Sequence, residues 1–150
     1  MRLLSPEKQW CSMEDVTIKC KKILGGIASG EALVSHVPIS VVSEIDETNG
    51  TIRPKGHELE GMSVAGKILI YPEAKGSTFA GLVLKTLVYF SCQPRAIVMV
   101  KQPDHTTIQG VIMADIPMVC LPERNPLELI KTGDFVEVNA TDGIVTVKKQ

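Results

Sequence analysis

"KILIYPEAKGSTFAGLVLKTLVYF", Lys67 to Phe90, decides the fold. Lys67–Tyr71 is a short, nearly all-apolar run, and such a run predicts a strand covered on both faces. A polar segment, Glu73 to Ser77, follows. Apolar residues then return at Phe79, Leu82, Val83, Leu87 and Phe90, the recurring spacing of an amphipathic helix with these side chains on its apolar face. Pro94 marks the end of that helix. "AIVMV", residues 96–100, predicts a second buried strand. Strand, helix and strand at this spacing make a βαβ unit with a parallel pair.

Working outward, residues 1–14 lack periodicity and read as an N-terminal extension to a domain spanning 15–150. "DVTIKCKKIL" alternates Val16, Ile18 and Cys20 against polar residues, a half-buried strand. "GGIASG" predicts a turn, or backbone approaching something closely. "EALVS" and "PISVV" read as short strands, Asn49-Gly50 as a turn, and "KGHELEGMSVAG" as a loop. Beyond the βαβ unit the pattern predicts a short helix from about Thr106 to Ala114 and a strand around Met118–Leu121. "NPLELIKTG" follows as a short helix with Pro126 near its start and Gly133 past its end. A hairpin turns at Asp142-Gly143. The sum is a single α/β domain of β hairpins around a βαβ core, without repeats.

With 44% hydrophobic and 22% charged residues, the 150-residue chain has ordinary globular composition. A net charge of −1 and 4% aromatic residues argue against a dedicated nucleic-acid binder. "MRLLSPEKQWCSMED" has no apolar h-region, and no apolar run approaches membrane-spanning length, so a cytoplasmic protein is expected. Cys11, Cys20, Cys92 and Cys120 show neither C-x-x-C spacing nor a neighbouring histidine in a zinc pattern. They are expected to be reduced and structural, with no metal bound by this chain.

Candidate chemistry gathers at the strand–helix junction. Ser77 sits where a helix N-cap belongs, and capping is the plain explanation for a serine there. The same geometry favours negative charge, whether a substrate carboxylate, a phosphate or a developing serine alkoxide. Lys75 adds a positive charge, Gly76 leaves room for a ligand, and Thr78 adds a hydroxyl. "EAKGST" lacks the upstream glycine of a phosphate-cradling P-loop and the G-x-S-x-G of a nucleophile elbow. His57, in the glycine-flanked "KGHELEG", is a candidate to contact a ligand in a cleft. His36 and His105 read as solvated loop residues, and Asp46, Glu47, Asp104 and Asp115 as turn chemistry.

"GGIASGEALVS…PIS", "IDETNGTI", "SVAGKILIYP…KGST", "GVIMADIPMV" and "LELIKTGDFVEV" occur in this order. The ordered set, over about residues 15 to 147, resembles the small subunit of the aconitase X family. That resemblance implies the swivelling β/β/α domain of aconitase-type enzymes. It implies a hydro-lyase active only with a separate large subunit, which carries a [4Fe-4S] cluster, while this chain alone binds no cofactor. By the "KGS" match Ser77 is the proton acceptor, with Lys75, Gly76 and Thr78 around the substrate. Within the family the pattern leans to dehydration of (R)-5-phosphomevalonate, a step of a modified mevalonate route to isoprenoids in archaea. Dehydration of cis-3-hydroxy-L-proline is the alternative, and a non-catalytic binding or scaffold domain is the alternative of another class. Glu73-Ala74 departs from the family's loop; the methyl is expected to narrow it and the carboxylate to weaken anion binding.

Overall fold

The computed structural model describes residues 15–76 and 78–148. The expected N-terminal extension, Cys11 and Ser77 therefore lie outside the described residues. The strands are β1 (Val16–Lys19), β2 (Lys21–Leu24), β3 (Ile27–Val34), β4 (Ile68–Tyr71), β5 (Ala96–Met99), β6 (Met118–Cys120), β7 (Phe135–Asn139) and β8 (Ile144–Lys148). The helices are α1 (Val41–Glu44), α2 (Ala80–Tyr89), α3 (His105–Ala114) and α4 (Pro126–Leu129).

Strand β3 belongs to two sheets. Its first part, Ile27–Glu31, pairs antiparallel with β7, and β8 and β1 continue that sheet. Its end, Ala32–Val34, pairs parallel with β4, followed by β5 and β6 in parallel and β2 antiparallel at the far edge. The parallel βαβ unit expected from Lys67–Val100 is thus present.

Period-two alternation explains why β4 and β5 are apolar throughout. Ile68, Ile70, Ala96 and Val98 face the antiparallel layer and pack with Val136, Val138, Val145 and Val147. Leu69, Tyr71, Ile97 and Met99 face the helices and pack with Val83, Leu84, Leu87 and Val111. Each such aliphatic side chain contributes roughly 1.5–3 kcal/mol by leaving water. The result is two apolar cores separated by one sheet: an antiparallel layer, a mostly parallel layer and a helical layer, the β/β/α arrangement expected.

Three local expectations are corrected. "GGIASG" turns only at Gly25-Gly26; from Ile27 the chain is already β3. Close backbone approach, the other reading, holds at Gly30, where an added Cβ would lie 3.1 Å from the Gly66 carbonyl oxygen. "PISVV" is not a strand. Valines favour strands, but Ser40 Oγ accepts the Ser43 N–H at 3.3 Å and starts α1. The helix after "KGST" begins at Ala80, with Phe79 at the cap position and no side-chain cap bond. Its inward face is Ala80, Gly81, Val83, Leu84 and Leu87, whereas Phe79, Leu82 and Phe90 are exposed.

Helices α2 and α3 meet at two glycines. A Cβ on Gly110 would lie 3.1 Å from Gly81 Cα and 2.8 Å from Leu84 Cδ1, so it would displace Leu84 and press on the α2 backbone. Among the described residues no helix is long and apolar enough to cross a membrane.

Candidate functional site

Parallel strands β3, β4, β5 and β6 end on one edge of their sheet, the edge at which ligands bind in such sheets. The loop after β4 carries Lys75 and Gly76, then Thr78. Its backbone is held from both sides. Ile39 N–H donates to Glu73 O at 3.2 Å, and Lys75 N–H donates to Ile39 O at 2.9 Å. On the other flank Val100 N–H donates to Tyr71 O and Lys101 N–H donates to Pro72 O, at 3.2 and 2.9 Å. The segment leading to Ser77 is therefore a stitched extension of the sheet.

The loop's charges are paired. The Lys75 ammonium donates to Glu44 Oε1. Glu44 Oε2 accepts the Ser40 N–H at 3.0 Å. Burial pushes the Glu44 carboxyl up, but the Lys75 and Ser40 bonds outweigh it and hold the group below its ordinary range. Glu73, the departure from the family loop, lies with its Oε2 3.1 Å from Lys101 Nζ. Its charge is thus balanced beside the loop rather than left bare. Next to Gly76, a Cβ at that position would lie 3.8 Å from Asp104 Oδ2. Asp104 caps α3 and accepts from the Thr106 and Thr107 hydroxyls. Burial raises its carboxyl, and these bonds outweigh it and lower it.

Lys75, Gly76 and Thr78 are exposed on this edge. His57 is half-buried. Its Nδ1 accepts the Leu59 N–H at 3.0 Å, and its buried Nε2 has no hydrogen-bond partner. The ring interacts electrostatically with Glu44 and Glu58. Sequence reasoning missed Glu44. The readable signal was the cap: Ser40 ahead of Val41-Val42, with Ser43 and Glu44 in the first turn.

His36 is exposed as expected but paired. Its Nδ1 lies 2.7 Å from Glu58 Oε1, and its backbone N–H donates to Oε2 at 2.9 Å. The bond to Glu58 raises His36 above the ordinary 6.5. Burial raises Glu58, but the His36 side-chain and backbone bonds outweigh it and hold that carboxyl below the ordinary 4.5. The His36 contribution to stability is complete below pH 6.5 and is lost as pH rises through its folded-state value. The Glu58 contribution is complete above pH 4.5 and is lost as pH falls through its folded-state value. His36→Gln should therefore lower the Tm more at about pH 5.5 than at about pH 8.5, by a small amount because the pair is largely solvated. Equal losses at both pH values would contradict this.

The described cysteines do not fit an iron–sulfur cluster. Cys92 and Cys120 are buried, 6% and 0% exposed. Burial pushes both thiols up and lifts half-buried Cys20 to about 12, opposing the thiolate form that a metal needs. A groove of about 570 Å³ lined by Lys85, Thr86, Val88, Tyr89 and Phe90 lies at the far end of α2. Its lining begins halfway along that helix, about 8 Å from the helix start, and runs to the helix end, about 15 Å away.

Comparison with known proteins gives the same picture. A family model described as the aconitase X swivel domain matches residues 17–147. The phosphomevalonate dehydratase small subunit of Methanocella arvoryzae is 42% identical over 128 residues, which is 85% of this chain and 96% of the relative. That of Archaeoglobus fulgidus is 40% identical over 126 residues, 84% and 94% of the two chains. In the holo-form crystal structure of Thermococcus kodakaraensis aconitase X, one chain superposes with a TM-score of 0.83 at 34% identity. The superposition covers 89% of this chain and 99% of that one. With the layered fold, these matches establish that the chain belongs to the aconitase X swivel domain family.

Proposed function

We propose that this chain is the cytoplasmic small subunit of a phosphomevalonate dehydratase, a hydro-lyase converting (R)-5-phosphomevalonate to trans-anhydromevalonate 5-phosphate on the way to isoprenoids. The observation that carries the reading is end-to-end similarity to small subunits of that name, with 96% and 94% of two such relatives covered. The large subunit is its partner and carries the [4Fe-4S] cluster and, with it, the activation of the leaving hydroxyl.

Ser77 is the base. As alkoxide it takes the proton from the carbon next to the substrate carboxylate. The C–H electron pair becomes the new double bond, and the C–O bond on the adjacent carbon breaks with its electron pair on oxygen. The proton that Ser77 removed is in net terms returned to that oxygen, so water leaves and the alkoxide is restored. A serine oxygen is a poor base unless cations and N–H donors are aimed at it beforehand. Lys75 supplies a nearby positive charge, Gly76 leaves the approach open, and Thr78 offers a hydroxyl. The bonds from Ile39 and Lys101 to the loop's backbone keep Lys75 and Gly76 from rearranging.

A site divided between two polypeptides requires both. The purified chain should show no dehydration of phosphomevalonate, and activity should appear on anaerobic mixing with the cluster-loaded large subunit. Turnover by the chain alone would overturn the divided site.

A further inference from the structure

Lys75 is a long, flexible side chain, yet its ammonium is tied to a carboxylate on a different segment, 31 residues earlier in the chain. That carboxylate is itself fixed. The Glu44 side chain is only 12% exposed, and its second oxygen is occupied by the Ser40 N–H. Segment 39–40 is hydrogen-bonded to loop 73–75 as well, through the Ile39–Ala74 bridge. An ammonium has three donors, and the pairing with Glu44 Oε1 does not use them all. The Lys75 side chain remains 55% exposed, so donors are left for a ligand oxygen.

We propose that Glu44 is a positioning residue for the dehydratase: it holds the Lys75 ammonium at the rim of the serine loop, ready for an anionic oxygen of the substrate. The proposal rests on the functional reading above. Its physical content is pre-organisation. An unpinned lysine must be immobilised when the ligand binds, whereas a lysine already held by Glu44 has lost most of that freedom. A purely neutralising carboxylate has the opposite consequence. Removing it would leave a bare cation that attracts an anionic substrate more strongly. The sign of the change in KM therefore separates the two roles.

The test uses the reconstituted two-subunit complex with phosphomevalonate. Glu44→Gln should raise KM roughly 2- to 10-fold, the cost of immobilising one long side chain, with a smaller change in kcat. In a Lys75→Met background, Glu44→Gln should add nothing further to KM, because its effect passes through the lysine. A fall in KM, no change in KM, or a rise that persists fully in Lys75→Met overturns the proposal. A second arm does not depend on activity. In the assembled complex, acetic anhydride should acetylate Lys75 several-fold faster in Glu44→Gln than in wild type, read by peptide mass mapping; equal rates overturn the proposal. If the wild-type complex leaves phosphomevalonate unchanged, the functional reading has failed and the acetylation arm alone decides the role of Glu44.

Discussion

Ser77→Ala in the reconstituted complex should lower kcat by roughly 10²–10⁴-fold, the range for loss of a positioned acid–base group. Folding and subunit association should stay close to wild type. The expectation separates catalysis from capping, since loss of a serine cap costs about 1 kcal/mol of stability and no activity. Kinetics of the variant complex, beside its thermal melt, measure both quantities. A loss of stability with normal turnover would favour a structural serine.

Gly110→Val should produce the largest loss of stability among single changes in the helical layer. Even one added carbon meets Leu84 Cδ1 at 2.8 Å and the Gly81 backbone at 3.1 Å. Leu84 can turn aside, but the α2 backbone can move only by separating the helices. Alanine would gain about 1 kcal/mol of helix propensity, against an overpacking cost of about 1–3 kcal/mol. Valine adds two more carbons and little helix propensity, so the clash dominates, and a loss of about 3 kcal/mol or more is expected. Because α3 begins at the Asp104 cap beside Gly76, the displaced helix should also disturb the serine loop. Urea unfolding of the variant measures the first effect, and kcat/KM of its complex the second. Wild-type stability in Gly110→Val would contradict the close helix contact.

Much of this architecture is legible in the sequence because the strongest signals come from residues buried on two sides. "ILIY" and "AIVM" have no polar face to hide, so their length and composition announce central strands. The C-terminal hairpin is readable for the complementary reason: Val136, Val138, Val145 and Val147 alternate with outward-facing residues. The inward face of α2 is harder. Phe79, Leu82 and Phe90 are as apolar as Val83 and Leu87, and the small residues Ala80 and Gly81 that pack inward carry little hydrophobic signal. Helix α1 was hidden because Val41-Val42 has strand propensity, while a serine hydroxyl and the burial of Val41 decide its conformation. The loop after β4 was visible as a cluster of suggestive residue types. The partners that pair its charges, Glu44 for Lys75 and Lys101 for Glu73, come from distant segments. Local periodicity carries no information on such pairs.

The most direct measurement is a substrate comparison on the assembled enzyme. This chain, copurified anaerobically with its large subunit, is offered (R)-5-phosphomevalonate and cis-3-hydroxy-L-proline in parallel, and products are followed by mass spectrometry. The expected result is loss of one water from phosphomevalonate, at a rate lowered roughly 10²–10⁴-fold by Ser77→Ala. Turnover of the hydroxyproline alone would contradict it.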